Sequence, residues 1–145
     1  MEVIDYMAHF SDKSQRRLNT CHPDLIAIFN TVIKTFDCSI LCGFRNDVEQ
    51  NSLFMSNKSQ VKWPESKHNA TPSMAVDSAP YPIDWEDRER FSYFAGYVLG
   101  VAKILKVAGK ITHEVRWGGD WDMNHDLKDN NFDDLVHFEL IWVPV

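Results

Sequence analysis

Residues 63–84 read WPESKHNATPSMAVDSAPYPID and contain the pattern that decides the fold. His68 and Asp77 stand on either side of a short apolar stretch that predicts the start of a strand. A histidine and a carboxylate in this arrangement are typical of half a metal site, and the other half needs a distant segment with a further ligand and a base. The stretch DDLVHFEL at residues 133–140 offers both.

The segments around this stretch predict an α+β domain, with a small antiparallel sheet and flanking helices. Residues 11–36 have helical spacing that is interrupted and restarted at Pro23, which predicts a helical hairpin or a broken helix. A long helix is expected from a cap at Asp84 to a stop at Gly109. The expected strands are residues 39–44, 111–117 and 136–143. In the last of these, alternation puts His137 and Glu139 on the face opposite the apolar side chains.

Composition limits the class of protein. The 145 residues predict a single domain over residues 1–145, and the net charge of −6 argues against binding to nucleic acid. We find no secretion signal and no apolar run close to the roughly 20 residues of a membrane span. Synthesis in the cytoplasm of a host, without membrane insertion, is therefore expected.

Three cysteines, an odd number, fit a reducing compartment. Cys38 and Cys42 fall in an apolar strand-like run, where they would lie roughly 13 Å apart. At that distance they can neither share a zinc ion nor form a disulfide. They are interpreted as small core residues.

The candidate site residues have the chemistry of a hydrolytic zinc centre. Such a centre needs three protein ligands and an open position for water, together with a base and a positive charge that stabilises the oxyanion. His68, Asp77 and His137 can supply the ligands. Asp134 is the preferred base, with Asp133 and Glu139 as alternatives, and Glu139 is otherwise expected to orient a ligand histidine. Arg45 follows a predicted strand and supplies the positive charge.

At these positions the chain resembles the D-alanyl-D-alanine carboxypeptidase-like zinc metallopeptidases, and among them the phage L-alanyl-D-glutamate endopeptidases that act as endolysins. The matching stretches are SKH at 66–68, AVD at 75–77, APYP at 79–82, DLVHFEL at 134–140, GFR at 43–45 with Gln50, KS at 58–59 and RWGGDW at 116–121. Together they span about residues 22–142. The sequence departs from the family between His68 and Asp77, where eight residues intervene, two more than is common.

The resemblance implies a hedgehog/D-Ala-D-Ala-peptidase-like fold and a Zn²⁺ ion on His68, Asp77 and His137. It also implies Asp134 as general base and Arg45 as the group that polarises the scissile carbonyl. Three further residues are implied to lie near the substrate: Ser66, Asp120 and Trp121. The implied substrate is the peptidoglycan stem peptide, cut at the L-alanyl-D-glutamate bond by a monomer that reaches the cell wall after release from the host cytoplasm.

The sequence is also compatible with two other functions. One is a D-alanyl-D-alanine carboxypeptidase or dipeptidase, and the other is a non-catalytic zinc-containing module that binds the cell wall. The acidic stretch 122–134 is interpreted as a solvated loop, with a weak calcium site or a mobile lid as the alternatives.

Overall fold

The computed structural model of the protein describes residues 7–143, which form four helices and one four-stranded antiparallel sheet. The helices are α1 (Asp12–Leu18), α2 (Pro23–Val32), α3 (Asp47–Met55) and α4 (Arg88–Val107), and a short 3₁₀ helix covers Lys67–Asn69. The strands are β1 (Cys38–Cys42), β2 (Ala75–Pro80), β3 (Glu114–Gly118) and β4 (Asp134–Ile141). The predicted α+β class is confirmed.

The sheet has the order β1-β2-β4-β3, so that the strand latest in the chain lies between two earlier ones. Val76 of β2 pairs with Phe138 of β4, and Phe138 pairs with Trp117 of β3. Directly opposed residues share a face of the sheet, so these three apolar side chains point to the same side. Their neighbours along the strands point to the other side, where the polar residues lie.

The apolar face of the sheet packs against α2 and α4. Phe138 is fully buried, with its ring centroid 5.6 Å from that of Phe29 on α2 and 6.1 Å from that of Phe94 on α4. Burial of a side chain of this size stabilises the fold by about 1.5–3 kcal/mol. The helices thereby cover one face of the sheet, and the polar face is free to form a groove.

The helix ends follow the sequence with one exception. Pro23 is the first residue of α2, and Gly109, at a φ of 74°, follows the end of α4 as predicted. The predicted cap at Asp84 is wrong, because Asp84 accepts a hydrogen bond from the backbone of Glu86 in a separate turn. Asp87 caps α4 instead, through a 3.1 Å hydrogen bond from the backbone of Arg90. Among residues 7–143, no helix has the length and apolarity that a bilayer span requires.

Strand β3 begins later than the predicted residue 111. The backbone N–H groups of Thr112 and His113 donate to Asp24 Oδ2 at 3.0 and 3.2 Å, and so they are not available to a neighbouring strand. Asp24 thereby ties the start of α2 to the approach to β3. Strand β4 begins at Asp134, earlier than predicted, because this residue pairs with Gly118 across an irregularity in the β3–β4 ladder.

Candidate metal centre

Two adjacent strands and the 3₁₀ helix bring together the three predicted ligands. Asp77 of β2 lies directly opposite His137 of β4, so both side chains point to the polar face. His68 lies in the 3₁₀ helix. The Ser66 hydroxyl caps this helix by accepting a hydrogen bond from the backbone N–H of His68. Asp77 Oδ1 is 3.1 Å from His68 Nε2 and 3.4 Å from His137 Nδ1. The carboxylate therefore lies between two imidazoles from distant parts of the chain.

Each imidazole is oriented by a second hydrogen bond on its other nitrogen. His68 Nδ1 donates to the backbone carbonyl of Gly43 at 2.7 Å, and His137 Nε2 donates to Glu139 Oε1 at 2.9 Å. A neutral imidazole that donates from one nitrogen keeps a lone pair on the other. His68 Nε2 and His137 Nδ1, which face Asp77, are thus the atoms that become available to a metal ion once they lose their protons. The expected orienting role of Glu139 agrees with this geometry.

The contacts among Asp77, His68 and His137 favour the ionised carboxylate and the protonated imidazoles. Burial alone would raise the pKa of Asp77, but the charge of His68 and hydrogen bonds from both imidazoles outweigh it and hold that pKa well below its usual value. Burial alone would lower the pKa of His68, but the charge of Asp77 and its hydrogen bond raise it to about 10. The pKa of His137 is raised against burial by its hydrogen bonds to Asp77 and Glu139. A buried centre of this kind suits protons or a bound cation.

Arg45 and Asp134 lie on two sides of the centre. Arg45 Nη2 is 3.4 Å from Asp77 Oδ2, and its Nη1 donates to Gln50 Oε1 at 3.0 Å. Asp134 Oδ2 is 4.0 Å from His137 Nδ1. Burial and the nearby charge of Asp77 raise the pKa of Asp134, as suits a group that takes up a proton.

Fully buried Gln50 holds Arg45 in place. Its side-chain amide nitrogen donates to Ser59 Oγ at 2.9 Å and to the backbone carbonyl of Val61 at 2.7 Å, while its oxygen accepts from Arg45 and Asn69. The amide therefore links the guanidinium to the loop that forms one wall of the groove.

Of the three residues predicted near the substrate, two line the groove above the centre and one does not. Ser66 and Trp121 line it, and the Trp121 ring centroid is 5.5 Å from that of His137. Asp120 is buried instead beside a separate cleft between α4 and β3, where its Oδ2 accepts from the backbone of His125. The turn after Gly118 sends consecutive side chains to different sides, which the sequence does not reveal.

The interpretation of Cys42 as a core residue is wrong, whereas Cys38 does lie in the core. Ile40 pairs with Ser78 and Cys42 pairs with Asp77, so Leu41 is an extra residue in β1. This bulge moves the half-buried Cys42 to the polar face, where its sulfur lies within 4.8 Å of ligand atoms of His68 and Asp77. The thiol was missed because the sequence carries no signal for the bulge.

A second group of potential ligand atoms comes from other residues of the chain. His22, Asp24 and His113 bring ligand atoms within 4.8 Å of one another. His22 Nδ1 accepts from the backbone N–H of Asp24, and His113 Nδ1 donates to Asp24 Oδ2 at 2.7 Å. These contacts cap α2 and hold the approach to β3, and they account for the group without a metal ion.

Side chains of the acidic loop between β3 and β4 form hydrogen bonds with the backbone of the same loop. The backbone N–H groups of Asn124, Asp126 and Lys128 donate to the side chains two residues earlier, at 2.8–3.2 Å. Trp121 Nε1 donates to the backbone carbonyl of Phe132 at 3.1 Å, which joins the two ends of the loop at the edge of the groove. The solvated loop stays the prediction, with a weak calcium site or a mobile lid as the alternatives.

Comparison with known proteins identifies the family. The family model described as phage L-alanyl-D-glutamate peptidase matches residues 7–141. The fold is similar to that of a crystal structure of the Serratia marcescens L-Ala D-Glu endopeptidase ChiX, with a TM-score of 0.69 and 24% identity over 91% of this chain and 89% of that one. A search of curated proteins gives no match. The family match covers nearly the whole chain, and the chain belongs to the phage L-alanyl-D-glutamate peptidase family.

Proposed function

We propose that this peptidoglycan peptidase hydrolyses the L-alanyl-D-glutamate bond of stem peptides with the help of a zinc ion held by His68, Asp77 and His137. Family membership supports the hydrolytic function and the substrate class. The observation that carries the proposal is the convergence of two imidazole nitrogens on the Asp77 carboxylate, at distances of 3.1 and 3.4 Å. Two nitrogens and one carboxylate oxygen are a common ligand set for catalytic zinc.

Asp134 and Arg45 supply the proton transfer and the positive charge that the reaction needs. A zinc ion in such a ligand set lowers the pKa of a bound water molecule towards 7. Asp134 takes a proton from the attacking water and delivers it to the leaving amine, a role that its raised pKa favours. Arg45, held by Gln50, stabilises negative charge on the carbonyl oxygen.

The proposed biological role is that of a phage endolysin. We expect a monomer that is made in the host cytoplasm and cuts the cell wall after release. A non-catalytic wall-binding module is disfavoured, because the family consists of hydrolytic enzymes.

The test is a measurement of metal content and bond cleavage on one sample. Zinc per chain is measured by elemental analysis, and purified peptidoglycan is analysed by mass spectrometry after incubation with and without chelator. We expect one zinc per chain and chelator-sensitive release of peptides that begin with D-glutamate. Release of terminal D-alanine alone would instead identify a carboxypeptidase.

Asp134→Asn and Asp133→Asn form a matched pair for the base. Asp133 is the adjacent carboxylate, and it forms an ion pair with Arg88. We expect Asp134→Asn to keep zinc and lose about 10²–10⁴-fold in kcat, while Asp133→Asn keeps most of its activity. The opposite pattern would assign the base to Asp133.

A further inference from the structure

We infer that Lys67 and Arg116 form a carboxylate-binding subsite in the groove, and that this subsite takes the free α-carboxylate of the glutamate released by cleavage. The inference rests on the proposed function, since it concerns the same groove. According to this inference, Lys67 and Arg116 make the enzyme prefer stem peptides whose glutamate is not amidated.

The subsite carries an excess of positive charge. Lys67 Nζ lies 3.3 Å and Arg116 Nη2 2.8 Å from the same oxygen, Glu139 Oε2. The other oxygen of Glu139 accepts the hydrogen bond from His137. Both cations therefore share the Glu139 carboxylate, which also accepts from a histidine, and among residues 7–143 no second carboxylate lies within 4.0 Å of either cation.

Both cations are accessible and keep unused hydrogen-bond donors. The side chains of Lys67 and Arg116 are 38% and 34% exposed, and both line the groove. Lys67 Nζ, which has three N–H donors, also donates to the backbone carbonyl of Leu140 at 2.6 Å. Arg116 Nη1 reaches the backbone carbonyl of Trp121 only at 3.5 Å, and its buried Nε has no partner among the described residues. An anion in the groove would gain charge-assisted hydrogen bonds.

Trp121 limits the freedom of the guanidinium. The Arg116 side chain lies over the Trp121 ring, 5.8 Å from its centroid, and the same ring packs beside His137. An arginine held over an aromatic face loses less conformational freedom when it binds a ligand. The subsite is therefore largely formed before the substrate arrives.

The subsite lies beside the proposed centre. Lys67 directly precedes His68 in the chain, and Glu139 links both cations to His137. Arg45 contacts the centre separately, through Asp77. Arg45 therefore contacts the centre at Asp77, whereas Lys67 and Arg116 lie on the side of His137 and Glu139.

The chemistry of the substrate supplies an anion close to the cleaved bond. Stem-peptide glutamate continues the chain through its side-chain carboxyl group, so its α-carboxylate stays free, on the carbon that bears the scissile nitrogen. Amidation of that group to isoglutamine keeps the shape and removes the charge. A subsite whose two cations share one carboxylate should distinguish the two forms.

The experiment compares two peptides with the zinc-loaded protein: acetyl-L-Ala-γ-D-Glu-L-Lys-amide and its isoglutamine counterpart. The first has a single carboxylate, so a preference for it cannot come from a later residue of the stem. We expect kcat/KM to be about 10- to 100-fold higher for the glutamate peptide, the range for hydrogen bonds to charged groups. Lys67→Met should reduce that ratio severalfold or more, and Lys67→Arg should largely keep it.

Two lysine variants serve as controls. Lys13→Met removes the same charge from the exposed surface of α1 and should leave the ratio unchanged. Lys58→Met removes a different groove cation. A ratio that falls in Lys58→Met and persists in Lys67→Met would overturn the assignment, as would equal cleavage of both peptides by the unaltered protein.

Binding of the products separates this inference from the proposed function. If neither peptide is cleaved, the proposed function fails, and calorimetry with γ-D-Glu-L-Lys-amide and its isoglutamine form still tests the subsite. Tighter binding of the glutamate form that depends on Lys67 supports it. Equal dissociation constants contradict it.

Discussion

Gly118 leaves the space that Asp134 needs, and Gly118→Ala should disturb the proposed base directly. A Cβ atom at position 118 would lie 2.1 Å from the backbone oxygen of Asp134 and 3.0 Å from its Cβ. Ordinary contacts begin near 3.4 Å, so the start of β4 must move by about 1 Å or more. A displacement of about 1 Å in a reacting group can lower the rate about 100-fold. Overpacking of this kind also costs about 1–3 kcal/mol of stability.

Both effects can be measured against a glycine that has room. Gly96 lies on the exposed side of α4, and a Cβ there meets nothing within 4 Å. Gly96→Ala should keep full activity and gain about 0.5–1 kcal/mol, because alanine is the better helix former. Wall lysis and thermal unfolding of the two variants give the comparison, with Tm expected to fall by roughly 3–10 °C in Gly118→Ala. If Gly118→Ala matched Gly96→Ala in both, the described pairing of β3 with β4 would be wrong.

Three further predictions concern side chains that hold the site or the fold. Glu139→Ala should weaken zinc binding about 10- to 100-fold in a chelator competition, whereas Glu139→Gln should lose less, because the amide oxygen can still accept from His137. Gln50→Ala should lower stability to urea by about 2–3 kcal/mol and reduce kcat, since buried donors and Arg45 lose their partner; unchanged kcat would contradict its positioning role. Burial alone would raise the pKa of Asp24, but hydrogen bonds from His113 and the nearby backbone lower it below its usual 3.8. The ionised group therefore stabilises the fold above that pH, and the gap in Tm between the unaltered protein and Asp24→Asn should narrow as pH falls below about 4.

The sequence was sufficient for the elements whose signals are local. The proline that opens α2 and the glycine that ends α4 act through their own backbone preferences, so their positions are visible in the chain. The alternation in β4 likewise placed His137 and Glu139 on one face. The chemistry of a hydrolytic zinc centre suggested the association of His68 and Asp77 with His137, and the resemblance to a known family implied the same ligands.

What the sequence could not supply depends on pairing between strands. Cys42 reaches the polar face because β1 holds one residue more than β2 opposite it, and such a bulge is set by both strands together. Arg116 meets Glu139 because of the register between β3 and β4. The late start of β3 depends on Asp24, which lies 88 residues before Thr112. Contacts of this kind follow from the assembled fold and leave no local pattern.

The interior position of β4 has a consequence for protein synthesis. Residues 134–141 fill the gap between β2 and β3 and carry both the proposed base and one proposed ligand. During translation, β1 to β3 emerge from the ribosome first, but their sheet stays open until Ile141 has emerged. Because the long-range pairing forms only then, incomplete chains should expose the edges of β2 and β3 and have no hydrolytic activity. Translation must therefore reach the end of β4 before the proposed base and the proposed ligand His137 can join the rest of the site.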